Sequence, residues 1–155
     1  MPIPLPDSLE MEVQKMEYIG YWFDPDDPED EYFPNPSDVV DPEWLKEERD
    51  LLVNYLKSGV EFVAWRGLSW CRFECGIDDR KMGYKDLTDG VWVWPEGLYH
   101  YIESHNVVLP DEFVNHCRQN QWSIPSEVDL EYEDPLAEDF EFWISWGSSV
   151  TGQKK

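Results

Sequence analysis

Apolar positions recur along this chain in short runs of two different periods, near two and near 3.6 residues, and that mixture predicts strands interleaved with helices. Residues 18–23 are dense in aromatic and β-branched side chains and read as a first strand. Residues 24–42 combine acids with prolines, which lack backbone donors, and predict a long loop without regular structure. Asp41 then offers an N-cap, Pro42 suits a first helical position, and Glu43 favours the positive end of the helix dipole. Trp44, Leu45, Leu51, Leu52, Tyr55 and Leu56 form one apolar stripe on this helix, with Glu47, Asp50 and Lys57 toward water and Gly59 as the stop.

Residues 61–65 and 69–75 predict two strands joined at Arg66 and Gly67, with Cys71, Phe73 and Cys75 on one face of the second. A polar loop leads to a turn at Asp89 and Gly90. Residues 91–94 then form another strand, with the valines on one face and Trp92 and Trp94 on the other. From Pro95 a helix is expected, on which Leu98, Tyr101, Ile102 and His105 share a face, and Asn106 can take the left-handed closing position. A short helix over 111–119 buries Phe113, Val114 and Cys117, and alternation over 140–146 predicts a final strand. Residues 1–10 are expected as an extended arm and 147–155 as a disordered tail. The sum is one α+β domain over 1–155: a mainly antiparallel sheet of four to five strands, two main helices and a short third.

Composition supports a packed core, because the nine tryptophans are foreign to disordered chains. No apolar run approaches the ~20 residues of a membrane span, and residues 1–12 lack the pattern of a signal peptide. Three cysteines read as reduced thiols or metal ligands, and a cytoplasmic location follows. The net charge of −22 is unevenly spread: −13 over residues 1–65, −3 over 66–118 and −6 over 119–155. Such a surface repels phosphates, so direct nucleic-acid or membrane binding is not expected, whereas a basic protein partner is favoured. Solubility alone is the plainer account of the same charge.

Candidate chemistry lies in the near-neutral middle. Cys71-x3-Cys75 followed by His100-x4-His105 has the ligand types of a structural zinc site. Positions five apart on a regular helix diverge by about 140°, so the two histidines converge only if the last turn tightens or unwinds, which Asn106 permits. The plainer account makes Cys71 and Cys75 core residues, buries His105 and exposes His100. Asp86, Asp89 and Glu96 place three carboxylates near one another, although turn and capping roles explain them too. Ser69 with His100 or His105 is a dyad that nothing local supports. Trp92 and Trp94 are either core or an aromatic binding surface.

Within residues 66–116, the blocks RG-x-S, CRF, LTDG, WVWPEGL, HYIE and LP-x-x-F together resemble a family of small uncharacterised bacterial proteins. The resemblance covers about a third of the chain and singles out Arg66, Ser69, Arg72, Trp92, Trp94, Pro95, Glu96, Gly97, His100 and His105. It implies no activity. Relatives space the two cysteines more closely, so it implies no shared metal site either.

Three functional readings follow. The first is a non-enzymatic module binding a basic protein, such as a toxin-neutralising immunity protein or a nucleic-acid mimic, through Asp26, Asp27, Glu29, Asp30, Glu31, Arg66, Arg72, Trp92, Trp94 and Glu96. The second is a zinc-stabilised domain with Cys71, Cys75, His100 and His105 as ligands. The third is a hydrolase using the carboxylates of 86–96.

Overall fold

A computed structural model describes residues 16–27, 31–128, 130 and 139–151. The expected arm at 1–10, Glu29, Asp30 and the end of the expected tail at 152–155 lie outside those residues. The fold is α+β: a four-stranded sheet of β1 (Glu17–Tyr18), β2 (Val60–Ala64), β3 (Lys85–Thr88) and β4 (Trp92–Pro95). Its order is β1-β4-β3-β2, with β1 parallel to β4 and the other two pairings antiparallel. Among the described residues five α-helices accompany it: α1 (Arg49–Lys57), α2 (Asp79–Met82), α3 (Leu98–His105), α4 (Asp111–Gln119) and α5 (Glu141–Thr151).

The pleat sorts the sheet into two faces. Leu87 and Trp94 pair across β3 and β4 and face α1, where the Trp94 indole donates to the Leu56 carbonyl at 3.0 Å. Trp92, two residues before Trp94 on the same face, meets Phe113 of α4 edge to face. Thr88 and Val93 pair on the opposite face, over Met16 and Tyr18. Both faces are therefore covered, and Trp92 and Trp94, 7% and 0% exposed, are core residues and not a binding surface.

The β3–β4 turn is pinned by the carboxylate of Asp89, itself buried. It accepts from the backbone amides of Val91 and Trp92 at 2.9 and 2.8 Å, from the Tyr55 hydroxyl of α1 at 2.5 Å, and lies 3.1 Å from His116 of α4. Asn120 in turn donates to the Tyr55 oxygen at 3.0 Å. One side chain thus joins the hairpin to two helices.

Several expected boundaries move. The first strand stops at Tyr18, because Gly20 turns the chain at φ +84° with Leu98 packed where a Cβ would stand. The described part of the 24–42 loop holds local structure that was not expected: a 3-10 turn spans Pro36–Asp38, and Val40 bridges Val107. The main helix begins at Arg49 and not at Pro42. Leu45 sits at φ +52°, and the Arg49 guanidinium collects the carbonyls of Asp41, Pro42 and Trp44 that helical amides would otherwise take. Within α1 the buried positions are Leu52, Val53, Tyr55 and Leu56, while Leu51 is exposed.

Residues 69–75 form a looped turn, and β2 pairs with β3 instead. Pro95 ends β4, so α3 starts only at Leu98 and runs two turns. Asn106 does take the left-handed conformation, at φ 58°. The largest change is α5, a helix where a strand and the start of a tail were expected. Its burial follows a helical period: Trp143 and Gly147 are buried with Phe140 and Ile144 beside them, while Glu141, Ser145 and Ser149 are exposed. The Trp143 indole donates to the Tyr21 carbonyl at 2.5 Å, and Gly147 leaves room for Pro34. A seven-residue apolar-rich run fits either period. The Asp139 carboxylate, which accepts from the Glu141 amide at 3.0 Å, is the capping signal for the helix.

Truncating Asp89 to alanine strands the Tyr55 hydroxyl and two turn amides in the core. The expected loss of stability is about 3 kcal/mol or more, with Asp89→Asn losing less. Urea unfolding midpoints of the two variants measure the difference.

Candidate metal centre and cleft

The loop after β2 and the two turns of α3 bring four sequence-distant ligand types together. At 71–76 the chain curls tightly: the Glu74 amide donates to the Cys71 carbonyl at 2.9 Å, Glu74 lies at φ +51° and Gly76 at φ +90°. This curl, which no strand could make, brings the two thiols together, Cys71 buried and Cys75 exposed, so the expectation of Cys75 as a core residue fails. The sulfurs of Cys71 and Cys75 stand 3.8 Å apart. Across from them, His105 Nε2 lies 3.6 Å from the Cys71 sulfur and His100 Nε2 lies 3.3 Å from that of Cys75. All four ligand atoms fall within 4.8 Å of one another, and the group can hold a metal ion.

The histidines converge despite their spacing because the end of α3 opens. The amides of Asn106 and Val107 both reach back to the Tyr101 carbonyl, one residue farther than the usual closing bonds. A turn widened in this way swings position 105 toward position 100. Phe73 stacks on the His105 ring at 4.2 Å and 10°, and the two imidazoles stand nearly perpendicular, 4.9 Å apart. His100 is 6% exposed, so the expectation of an exposed His100 fails. Burial holds both imidazoles below the ordinary histidine range, with the neighbouring His105 adding to the effect at His100. Burial pushes the Cys71 thiol up. Neutral imidazole is the ligand form, whereas the thiols must release protons to bind a cation.

The three carboxylates do not converge. Asp89 faces α1 and α4, while Asp86, one pleat from Leu87, reaches the opposite side of the sheet. Glu96 is half-buried and accepts from the amides of Tyr84 and Lys85 at 3.0 and 3.2 Å, a backbone latch that needs the missing Cβ of Gly83. Ser69 donates its amide to Gly83, and among the described residues no hydrogen bond joins it to either histidine.

Arg72 is held within the fold. It stacks on Trp70 at 4.2 Å and donates to the carbonyls of Phe23 and Trp70 at 3.2 and 3.0 Å. Asp26, Glu31 and Arg66 are exposed, and Asp27 is half-buried. Among the described residues, no helix is long and apolar enough to cross a membrane.

No family model, curated protein or solved structure matches this chain. Geometry alone therefore carries the functional argument.

A second feature went unnoticed in the sequence. A cleft of about 680 Å³ opens between the 20–24 segment, the end of β2, β3, the start of α3 and α5. Asp86 lines it, 3% exposed, and accepts from the Trp65 indole at 2.8 Å. Burial pushes its carboxyl up to about 6, against the opposing effects of the Trp65 indole and the Tyr21 phenol. Asp86 reads locally as a turn acid; only its inward register on β3 marks it as buried.

The sign of the resulting pH dependence is fixed. A folded carboxyl at about 6 against an ordinary aspartate value of 3.8 destabilises the fold as pH rises through that window, fully above it. Asp86→Asn is therefore expected to gain about 2–3 kcal/mol over the parent at pH 7.5 and almost nothing at pH 3.5. Paired denaturation curves at the two pH values measure it.

Proposed function

We propose that the chain is a small domain stabilised by one structural zinc ion, bound by Cys71, Cys75, His100 and His105. The observation that supports this reading is the spacing of the four ligand atoms. A tetrahedral zinc with ordinary bond lengths holds its sulfurs about 3.8 Å apart and sulfur from nitrogen about 3.6 Å apart. Three of the six separations compare directly, 3.8 Å between the sulfurs and 3.6 and 3.3 Å from sulfur to nitrogen, and all six fall within 4.8 Å. Two thiolates and two neutral imidazoles also balance a divalent cation, which suits a centre where Cys71 and His100 are buried, His105 is half-buried and Cys75 lies at the surface. Four protein ligands leave no open position, so the ion would serve structure and not catalysis. It would fasten the 71–76 curl, which belongs to no strand, to α3.

Elemental analysis of protein purified without chelator is expected to give one zinc per chain. Cobalt substitution should add thiolate charge-transfer absorption, and chelation should lower the melting temperature. Cys75→Ser should lower it as well, and chelator should then have little further effect. Substoichiometric metal after zinc loading, with melting unmoved by chelator, would sink the reading.

A second reading rests on charge. Most of the −22 lies outside the middle segment, and Asp26, Glu31, Asp38, Asp41, Glu43, Glu47 and Asp50 are all exposed. Such a surface favours association with a basic protein, as in an immunity protein or a nucleic-acid mimic, by steering the encounter. The immobilised chain is expected to retain a basic partner at low salt and release it at high salt. Replacing Asp26, Asp27, Glu29, Asp30 and Glu31 by their amides should weaken that retention; retention indifferent to both would eliminate it.

A further inference from the structure

Buried carboxylates in a folded chain are ordinarily matched by a cation or by several donors. Asp89 follows this rule. Asp86 has two neutral neighbours, the Trp65 indole and the Tyr21 phenol, and among the described residues no lysine, arginine or histidine pairs with it. The two basic residues lining the same cleft are engaged elsewhere. Arg72 serves the carbonyls of Phe23 and Trp70, and Lys85 pairs with Glu61 at 3.1 Å.

The surroundings of Asp86 are aromatic. Tyr21, Trp65, Trp70 and Tyr84 line the cleft. Trp65, Leu68 and Tyr84 are 42%, 48% and 43% exposed, which places large apolar surfaces in water around this one opening. Aromatic faces attract a cation through the ring quadrupole, and their area binds the apolar stem that carries it. An anion would meet Asp86, Asp24, Asp27 and Glu96 and be repelled. A neutral apolar ligand would leave the carboxylate uncompensated.

From this wall of rings around a buried carboxylate that no cation meets, we infer that the cleft binds an organic cation, a primary ammonium or guanidinium group on an apolar stem, with Asp86 as its counter-ion and Trp65 and Tyr84 flanking its entry. The volume exceeds what one such head group needs, so the stem enters too. The cation belongs either to a free small molecule or to a lysine or arginine side chain presented by a protein. The site is separate from the Cys/His group and stands whether or not that group holds zinc.

Calorimetric titration of the purified chain with n-butylammonium and n-butylguanidinium chloride tests it, with n-butanol and butyrate as neutral and anionic controls. A blocked arginine-containing peptide forms a further arm. Saturable binding of at least one cation, absent for both controls, is the expected result. Asp86→Asn, a variant expected to fold at least as stably as the parent, should weaken that binding about tenfold or more. Binding should also shift the Trp65 indole N–H resonance, identified by its loss in Trp65→Phe. A peptide that binds more tightly than the free cations assigns the group to a protein partner; equal or weaker binding assigns it to a small molecule. No saturable cation binding, binding unchanged in Asp86→Asn, or equal binding of butanol overturns the inference.

Discussion

The β3–β4 hairpin closes against the helices around one buried acid, Asp89, which accepts three hydrogen bonds and lies beside an imidazole ring. Two donors are amides of its own turn and one is the Tyr55 hydroxyl of α1, while the His116 ring of α4 stands 3.1 Å away. Burial first, and then the hydrogen bond to Asp89, push the Tyr55 phenol well above its ordinary range against the opposing Asn120 hydrogen bond, so the hydroxyl stays a donor. Through this one carboxylate the turn geometry of the hairpin sets where both helices lie on the sheet. The entry to α3 is set by the same hairpin, since β4 ends at Pro95 and Gly97 packs against the Met82 backbone.

The position of the Cys/His group depends on that chain of constraints. α3 is anchored at its start by the hairpin and at its end by Asn106, whose side chain accepts from Arg49 at 2.6 Å and whose carbonyl accepts from the Asp41 amide at 2.9 Å. The widened last turn lies between these two anchors. Tyr101, on the same helix, accepts from the Arg72 amide at 2.9 Å and so brings the start of the 71–76 curl against the histidines. Burial holds the Tyr101 phenol protonated, raised to about 12, although Arg72 opposes the shift. The curl therefore has a protein-based docking point before any ion is considered.

Local sequence made some of this legible and hid the rest for identifiable reasons. The Asp89–Gly90 turn, the 111–119 helix and the left-handed Asn106 follow from short-range chemistry: a turn acid before glycine, an amphipathic stripe, and a residue tolerant of positive φ. The four ligand types were visible from residue identity and spacing, but their convergence was not. It rests on a curl at Glu74 that alternation mimicked as a strand, and on a helix end one residue wider than the usual form. The α5 helix was hidden because an aromatic run with one acid and one serine satisfies both periods, and only packing of Trp143 on Trp22 and Tyr21 decides between them. Asp86 was hidden for a related reason: without the register of β3 against β4, nothing distinguishes an inward acid from a turn acid.

Asp86 and Asp89 lie three residues apart, yet the fold treats them in opposite ways. The donors around Asp89 make its burial part of the architecture. Asp86 has the Trp65 indole and the Tyr21 phenol, and these leave its carboxyl raised to about 6. Near neutral pH it is therefore mostly ionised inside an aromatic cleft, which burdens the free fold with a destabilising charge. A position that only stabilises the fold has no physical need of a carboxylate there, since an amide of the same shape would accept the Trp65 hydrogen bond without the desolvation cost. The charge has a purpose if a cation meets it, because the desolvation cost is then already met in the free protein and the full electrostatic attraction is available on binding.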